Sequence, residues 1–414
     1  MKIIVQKFGG TSVKNEESRK HAKVHVKNAL ADGYKVVVVV SAMGRKGEPY
    51  ATDTLLSLIG GNNSKVKKRE YDLLLSCGEI ISSIVFANTL IDNGIKAIAL
   101  TGAQAGFRTN NDHSNAKIIE MQCDRLLREL KDYDVVVVAG FQGATKNGEI
   151  TTIGRGGSDT SAAALGAAVN AEWIDIFTDV EGIMTADPRI AENARRLSVV
   201  TYTELCNMAY QGAKVIHPRA VEIAMQAKVP IRIRSTYSES IGTLVTSIDP
   251  DARGNDIRDR IVTGIAHVSN VTQIKVFAKK EQYYLQAEVF KAMANEKISV
   301  DFINISPNGV VYTVTDEMAE RAIQVLNELG HEPVVEQHCS KVSIVGAGIA
   351  GVPGVTSKIV TALSDHGIRI LQSADSHTTI WVLVKQDDLV KSVNALHDAF
   401  HLDEETIDIK LSNL

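Results

Sequence analysis

Short, uninterrupted apolar runs recur along the first 236 residues, and segments with helical periodicity separate them. Valine and isoleucine runs of this length predict strands that are buried on both faces, as in parallel sheets. The runs are KIIVQKF (2–8), KVVVVVS (35–41), KAIALTG (96–102), DVVVVAGF (134–141), WIDIFTD (173–179) and VPIRIRST (229–236). We predict intervening helices at Glu16 to Leu30, Ser114 to Leu130 and Ser161 to Val169. Strand and helix in alternation predict an α/β sandwich.

The pattern changes near residue 240, and the chain then repeats itself. The segment DPDARGNDIRDR (249–260) is charged and contains Pro and Gly, so it predicts a linker. Beyond it, residues 287–326 align with residues 357–396 at a shift of 70 (357 − 287). Each copy has the order strand, helix, strand, strand, helix, with a further strand to close it, which predicts two α+β modules in tandem. Coinciding apolar pairs are Val289 with Ile359, Met293 with Leu363, and Ile298 with Ile368.

One motif in the second copy imitates a nucleotide-binding fingerprint. The segment KVSIVGAGIAG (341–351) contains G-x-G-x-x-G after a predicted strand. However, Val352, Pro353 and Gly354 follow directly, where the fingerprint requires a helix that is already under way. We therefore predict a structural or ligand-sensing turn at this place.

Composition narrows the possible partners. Hydrophobic residues make up 44% of the chain and the net charge is -4, which gives no reason to expect nucleic acid or an anionic membrane. The four cysteines are far apart and form neither a metal-binding spacing nor a disulfide framework. No apolar stretch reaches 18 residues, and Met1 leads directly into a strand, so we expect a cytoplasmic protein.

Glycines and a lysine follow the first predicted strand, in KFGGTSV (7–13). Gly9 and Gly10 allow backbone N–H groups to approach phosphate oxygens, and Lys7 adds a positive charge. No Gly-Lys dipeptide occurs in the chain, so this is not a P-loop. The alternative is a lysine that only flanks a turn.

A second glycine-rich segment is TTIGRGGSDTSAAALGAA (151–168), in which Arg155 precedes an alanine-rich helix. Ser158 and Asp159 are candidates for the N-cap of that helix. An arginine beside a helix N-terminus suits a carboxylate or a phosphate. A helix cap alone would need neither the arginine nor the three glycines.

Three further segments carry charge in places that suit a substrate. Glu79 stands in the otherwise apolar segment LLSCGEIISS (74–83), where a substrate ammonium group or an internal salt bridge could balance it. TDVEGIMTADPR (178–189) supplies Arg189 and GAKVIHPRA (212–220) supplies Lys214. These cations suit a polyphosphate, although both segments could be ordinary loops.

Six blocks together resemble the signature blocks of aspartate kinases, in the same order: KFGGTSV, VSAMG, SCGE, GRGGSDTSA, TDVEGIMTADPR and GAKVIHP. The repeated modules resemble the paired ACT domains of that family, so the resemblance covers essentially the whole chain. The tail QSADSHTTIWVLV (372–384) is most similar to the diaminopimelate-sensitive isozyme. The resemblance implies an amino-acid-kinase three-layer αβα sandwich with a largely parallel central sheet over residues 1–245. A linker (246–262) and two ferredoxin-like ACT modules (263–340 and 341–414) would follow.

The resemblance also assigns roles to individual residues. Catalysis would depend on Lys7, Arg155 and Asp159, with Arg155 on the α-carboxylate of the acceptor, Glu79 on its ammonium group, and Asp159 orienting Lys7. ATP would contact Lys7, Phe8, Gly9, Gly10, Thr178, Asp179, Met184, Arg189, Lys214 and Val215. L-Aspartate would contact Ser41, Thr52, Glu79, Phe141, Gln142, Arg155, Gly156, Gly157 and Ser158. The segment AMGRKGEPYA between Ser41 and Thr52 is longer than usual for the family.

The implied reaction is transfer of the γ-phosphoryl group of ATP to the side-chain carboxylate of L-aspartate. Such a carboxylate has a reference pKa of ~3.9 and is ionised at neutral pH, so no general base is needed. Mg²⁺ would be held mainly by the nucleotide phosphates, without a dedicated metal site on the protein. The alternatives are a kinase of another acidic amino acid on the same fold, or an amino-acid-binding regulatory protein.

For the C-terminal modules, the resemblance implies feedback inhibition of the first step toward diaminopimelate, lysine, threonine and methionine. The effector would be meso-diaminopimelate or lysine, and the chain would form a homo-oligomer through ACT–ACT pairing. The expected effector contacts are Val300, Asp301 and Asn304, together with Ile368 and Ser373 across a dimer.

Overall fold

The structure is a computed structural model that describes residues 1–61, 64–213, 215–247, 261–279, 284–347, 349 and 351–404. The predicted linker at 249–260 therefore lies outside the described residues, as does Lys214.

The first 246 residues form an α/β domain. Its elements are β1 (Ile3–Phe8), α1 (Gly10–Val13), α2 (Glu16–Ala31), β2 (Lys35–Val40), α3 (Thr52–Ser57), α4 (Lys68–Ile91), β3 (Ala97–Leu100), α5 (Gly102–Ala105), β4 (Phe107–Thr109), β5 (Ile118–Met121), α6 (Asp124–Asp132), β6 (Val135–Ala139), β7 (Gln142–Ala144), β8 (Ile150–Thr152), α7 (Gly157–Ala168), β9 (Trp173–Thr178), β10 (Val199–Thr201), α8 (Tyr202–Tyr210), α9 (Pro218–Ala227), β11 (Ile231–Ser235) and β12 (Thr243–Thr246).

Eight of these strands form one sheet in the order β10-β12-β11-β9-β1-β2-β6-β3. Every pairing is parallel except that of β11 with β12. All six strands predicted from the apolar runs lie in this sheet, so the α/β prediction is confirmed. A smaller sheet with the order β5-β4-β7-β8 lies beside it.

The uninterrupted apolar runs fill two cores, one on each face of the sheet. Val37 and Val39 face a core that includes side chains of α6, α7, α8 and α9. Val36 and Val38 face the other core, which is closed by α2 and α4. Successive side chains of a strand point to opposite faces, so the continuous valine run Val36–Val40 of β2 contributes to both cores.

Two of the predicted helices need correction. The helix predicted at Ser114 to Leu130 is wrong in its first half, because Ile118–Met121 is strand β5, paired antiparallel with β4. The adjacent β-branched residues Ile118 and Ile119 favour a strand once a partner edge is present. The helix predicted from Ser161 starts earlier, at Gly157, and its N-cap is Gly156 rather than Ser158 or Asp159.

Helix α4 is, within the described part of the chain, the one helix long and apolar enough to cross a membrane. Half of its most apolar window is buried inside the protein, and its Asp72 and Glu79 side chains are buried as well. Core helices of globular proteins have the same length and composition, so this is weak support for a membrane span.

The C-terminal region contains the two predicted α+β modules. Its elements are β13 (Gly264–Phe277), α10 (Leu285–Asn295), β14 (Asp301–Ser306), β15 (Gly309–Thr315), α11 (Asp316–Glu328), β16 (Val334–Val345), α12 (Val355–Asp365), β17 (Gln372–Asp375), β18 (Thr379–Lys385) and α13 (Leu389–Ala399). Helices α10 and α12 start 70 residues apart, as do strands β15 and β18. Val289 and Ile359 lie in separate apolar cores, so the repeat reflects two packed units.

The two modules share one six-stranded sheet with the order β14-β15-β13-β16-β18-β17. Residues 271–277 of β13 pair with β15 of the first module, whereas residues 264–268 pair with residues 341–345 of β16. The predicted division at 340/341 thus falls inside one continuous strand. In the segment that imitates the fingerprint, β16 ends at Val345 and the described part of the chain shows the next helix from Val355, so no described helix follows the strand directly as a dinucleotide site requires.

Candidate active site

The site lies where β1, β2 and β9 end side by side. These strands are neighbours and parallel, so the loops that follow them meet at one edge of the sheet. Gly9 is the N-cap of α1. A Cβ atom on Gly10 would lie 2.6 Å from the carbonyl oxygens of Ala42 and Gly44, so the turn after β1 packs directly against the loop after β2.

Lys7 forms an ion pair that connects β1 to α7. Its Nζ lies 2.7 Å from Oδ1 of Asp159, and each side chain is only 13% exposed. The other oxygen of Asp159 accepts a hydrogen bond of 3.2 Å from the backbone N–H of His217. Asp159 lies in the first turn of α7, so it holds the lysine amine at the start of that helix rather than capping it.

Arg155 stands in a glycine loop that directs it away from the protein core. Gly154 and Gly156 both have left-handed backbone conformations, with φ of 77° and 69°. A Cβ atom on Gly156 would lie 2.2 Å from the ring of His217, so no other residue fits there. Arg155 is exposed, and among the described residues no carboxylate lies within salt-bridge distance of it. Its charge is available to a ligand.

Glu79 is 2% exposed and is held on α4 opposite the loop after β2. Its Oε1 accepts a hydrogen bond of 3.1 Å from the backbone N–H of Ala42, whereas Oε2 has no partner among the described residues. Burial raises the pKa of this carboxyl to about 8. A buried carboxylate oxygen without a donor is a place for a cationic ligand group.

These side chains line one cavity of about 210 Å³. Its lining consists of Lys7, Ser41, Thr52, Glu79, Phe141, Gly154, Arg155, Gly156, Gly157, Ser158 and Asp159. The cavity thus brings together all three predicted catalytic residues and every predicted acceptor contact except Gln142. The Gln142 side chain is buried and donates to the backbone carbonyl of Ser76 at 2.9 Å. It therefore holds α4 in place rather than lining the cavity.

The predicted nucleotide residues are more dispersed. Thr178 ends β9 and donates to Asp179 at 3.1 Å, and Asp179 pairs with Arg45 at 2.8 Å. The Arg189 side chain is 87% exposed, and its guanidinium and backbone N–H form three hydrogen bonds to the carboxylate of Asp187, which hold the pKa of Asp187 below its usual range.

The apolar members of the nucleotide set lie closer to the cores. Phe8 is fully buried and stacks on Phe177, so only its backbone faces the site. Met184 pairs with Arg196 in an isolated bridge, and Val215 packs against the core on the α7 side.

Sequence reasoning missed three residues that shape the cavity. His217 packs on Gly156, Arg219 donates to the carbonyl of Ile153 at 3.1 Å, and Asp72 anchors β8. The segment His217-Pro218-Arg219 could have been recognised as a helix start, because Pro is common at the first helical position and here begins α9. Asp72 carried none, since its partners are distant in sequence.

The predicted effector residues divide between surface and core. Asn304 and Ser373 are exposed, whereas Ile368 is buried in the core of the second module. Asp301 is exposed but already pairs with Lys341 at 2.5 Å. Val300 packs partly against the core of the first module.

Strands β14 and β17 approach each other within one chain. The side-chain amide N–H of Gln372 donates to the backbone carbonyl of Phe302. The side-chain amide N–H of Gln273 donates to the side-chain oxygen of Gln372. The two predicted groups of effector contacts therefore lie on segments that meet inside a single protomer.

Comparison with known proteins gives two family matches. Residues 2–235 match the amino acid kinase family, and residues 334–398 match the ACT domain. Aspartokinase 1 of Bacillus subtilis (strain 168) is 68% identical over 402 residues, which cover 97% of this chain and 100% of that protein.

Two solved structures are similar over nearly the whole chain. E. coli aspartokinase III in complex with aspartate and ADP (R-state) has a TM-score of 0.76 at 26% identity. The same enzyme in complex with lysine and aspartate (T-state) has a TM-score of 0.75 at 26% identity. Each match covers 96% of this chain and 99% of the other chain.

Proposed function

The chain belongs to the amino acid kinase family, as an aspartokinase with an ACT domain in its C-terminal part, and we propose that it converts L-aspartate and ATP to 4-phospho-L-aspartate and ADP. The observation that carries this proposal is a cavity that brings three charged groups together: the buried Glu79, one of whose oxygens lacks a partner among the described residues, Arg155, which has no carboxylate partner there either, and the amine of Lys7. An α-amino acid needs one anion for its ammonium group and one cation for its α-carboxylate. A second cation then serves the reacting carboxylate and phosphate.

In the proposed complex, Glu79 binds the ammonium group and Arg155 binds the α-carboxylate in a bidentate manner. Ser158, Ser41 and Thr52 provide hydroxyl groups along the same wall, with backbone N–H groups from Gly156 and Gly157. Phe141 lines the cavity beside Gly157, where its left-handed backbone, with φ of 67°, turns the chain. Gln142 supports this arrangement from the core.

The acceptor carboxylate is the nucleophile and needs no base. Its oxygen attacks the γ-phosphorus while the bond to the β–γ bridging oxygen breaks, and ADP leaves. Two anions must approach each other, so the contribution of the protein is positive charge and N–H donors. Lys7, held by Asp159, places its amine where both anions meet, and Gly9 and Gly10 offer backbone N–H groups to the phosphates.

The remaining nucleotide contacts would come from Phe8, Thr178, Asp179, Met184, Arg189, Lys214 and Val215. Mg²⁺ fits this scheme as a partner of the phosphate oxygens. Across the residues that the structure describes, no group of three or more His, Cys, Asp or Glu side chains could hold a metal ion. When bound, Mg²⁺ would neutralise phosphate charge.

We also propose that the reaction is the first step toward diaminopimelate, lysine, threonine and methionine, in the cytoplasm, where both substrates are available. An end-product amino acid, meso-diaminopimelate or lysine, would inhibit it through Val300, Asp301, Asn304, Ile368 and Ser373. The lysine complex of E. coli aspartokinase III supports an amino-acid effector. The exposed edge strand β14, with Ile303 and Ile305 on its surface, would support pairing of ACT modules in a homo-oligomer.

The test is a coupled ADP-release assay with L-aspartate, L-glutamate and N-acetylglutamate as acceptors. We expect turnover with aspartate to exceed that with the others. Lys7→Ala should lower kcat far more than it raises KM for aspartate, whereas Arg155→Ala should chiefly raise that KM. Equal turnover with glutamate would assign the enzyme to another acidic amino acid.

A further inference from the structure

An ion pair crosses the mouth of the phosphate-binding turn. Nη2 of Arg45 lies 2.8 Å from Oδ2 of Asp179, although the two residues are distant in sequence. Arg45 belongs to the loop after β2, and Asp179 directly follows β9. Strand β1 lies between β2 and β9, so the guanidinium group passes over the end of β1, where Lys7 is located. Strands two positions apart are separated by about 10 Å, a gap that an arginine side chain can span.

The backbone of Arg45 is fixed beside that turn. The preceding residue, Gly44, donates its N–H to the carbonyl of Gly10 at 3.0 Å, and the N–H of Arg45 itself bonds to the carboxylate of Glu48. Gly10 packs against the carbonyl oxygens of the same loop. The Cα and Cβ atoms of Arg45 are therefore held next to the glycines that would bind the phosphates. The guanidinium group at the end of the side chain can change its partner.

The charges around the turn form two pairs with different surroundings. Lys7 and Asp159 are each 13% exposed, whereas the side chains of Arg45 and Asp179 are 70% and 49% exposed. An exposed ion pair contributes little to stability, so the guanidinium can leave Asp179 at small cost. A polyphosphate offers it shorter, bidentate, charge-assisted hydrogen bonds in exchange.

Building on the kinase function proposed above, we propose that Arg45 binds the polyphosphate of ATP during phosphoryl transfer. In the structure its guanidinium pairs with Asp179. When ATP enters, the guanidinium turns to the phosphate oxygens above Gly9 and Gly10. There it shares with Lys7 the neutralisation of the charge that builds up as the γ-phosphoryl group moves between two anions.

The proposal gives a function to the long segment between Ser41 and Thr52. Arg45 lies in that segment, which carries it from the end of β2 to the mouth of the site. The neighbouring Lys46 is also exposed, but it forms no ion pair within the described residues. Lys46 is therefore a matched control for the loss of one positive charge from the same loop.

The experiment compares Arg45→Ala, Arg45→Lys and Lys46→Ala with the wild-type enzyme. For Arg45→Ala we expect kcat/KM for MgATP to fall about 10- to 100-fold, the effect of losing a hydrogen bond between charged groups. KM for aspartate should stay within about twofold of wild type, because Arg155 and Glu79 bind the acceptor. Arg45→Lys should recover part of the loss, and Lys46→Ala should behave like wild type. An Arg45→Ala enzyme that matches Lys46→Ala would overturn the proposal.

A binding measurement separates this proposal from the choice of acceptor. Calorimetry with a non-hydrolysable ATP analogue and with AMP needs no turnover. We expect Arg45→Ala to weaken the ATP analogue at least about tenfold and to leave AMP unchanged, because only the analogue has the longer phosphate chain. If aspartate is not phosphorylated but this difference appears, the acceptor assignment fails and Arg45 stands. Equal weakening of both ligands, or of neither, would contradict the role of Arg45.

Discussion

At the residue scale, Glu79 is a buried carboxylate in the cavity where we propose that the acceptor binds. One of its carboxylate oxygens is bonded to Ala42, and the other has no partner in the described part of the chain. Desolvation raises its pKa to about 8, so near neutral pH most of the free enzyme carries it protonated. An ammonium group that enters the cavity favours the ionised form. Binding of the acceptor is therefore coupled to loss of a proton.

The first prediction follows from that coupling. Below about pH 8, kcat/KM for aspartate should rise by up to tenfold per pH unit, and it should level off near pH 8. Glu79→Gln should lower kcat/KM about 10- to 100-fold and remove this pH dependence, because the amide cannot ionise. Steady-state kinetics across pH 6 to 9 would measure both. An unchanged pH profile in Glu79→Gln would contradict the assignment.

Much of the site could be predicted at this scale because its residues stand in short motifs. The glycines around Arg155 and after Lys7 are local signals, since each is required by its own turn. Pairings across the fold left no such signal. Arg45 with Asp179 and Asp301 with Lys341 unite residues far apart in the chain, and only the folded sheet brings them together.

At the scale of elements, α4 connects the two ends of the acceptor site. Asp72 and Glu79 are seven residues apart on this helix, about two turns, so they lie on one face. Asp72 is fully buried and accepts hydrogen bonds from the backbone N–H groups of Ser114 and Thr152, both at 2.9 Å. It also accepts from the hydroxyl of Thr152 at 2.7 Å. Thr152 leads into the Arg155 loop, so Asp72 sets the distance between Glu79 and Arg155, the two charges proposed to bind the acceptor.

The second prediction concerns this anchor. Asp72→Ala should lower the free energy of unfolding by about 2–5 kcal/mol, because it leaves buried N–H groups without acceptors. It should also raise KM for aspartate more than KM for ATP. Glu70→Gln, an exposed change on the same helix, is the control and should alter neither. Denaturant unfolding with parallel kinetics would test this, and a loss of stability without a change in KM would limit Asp72 to a structural role.

The element predictions succeeded where burial alone decides structure. The six short, mostly apolar runs are all strands of the large sheet, whose two faces are both covered by apolar cores. The segment Ile118–Met121 was misjudged because its strand character depends on pairing with β4, a contact that no local pattern encodes. The sharing of β13 and β16 between the two modules is likewise a property of the assembled sheet.

At the scale of the whole molecule, the second C-terminal module contacts the segment from Thr185 to Arg195, which includes the proposed nucleotide contact Arg189. Thr185 Oγ1 lies 2.9 Å from Nε2 of His397 on α13, and both side chains are buried. Asn394 on the same helix donates to the carbonyl of Ile190 at 3.0 Å, and Arg195 donates to the carbonyl of Leu402 at 2.9 Å. A shift of α13 would therefore be transmitted to the segment that carries Arg189.

The third prediction is that this contact transmits inhibition. Thr185→Val removes the hydroxyl but keeps the shape, so the effector concentration for half inhibition should rise at least about fivefold, the lower end of typical coupling. Uninhibited kcat should stay within about twofold of wild type. The control is Thr89→Val, which removes a half-buried hydroxyl that donates to the carbonyl of Val85 in the same helix, α4, at 3.0 Å. Inhibition curves with meso-diaminopimelate and lysine would measure the effect, and unchanged inhibition in Thr185→Val would exclude this route.

The central claim is that the cavity directs the γ-phosphoryl group to the side-chain carboxylate of L-aspartate, and hydroxylamine trapping tests it most directly. An acyl phosphate reacts with hydroxylamine to give a hydroxamate. With MgATP and L-aspartate, the wild-type enzyme should yield the β-hydroxamate of aspartate. Lys7→Ala should reduce that yield about 100-fold or more, since the lysine acts on charge that develops in the transition state. Formation of the α-hydroxamate, or an equal yield from glutamate, would contradict the account.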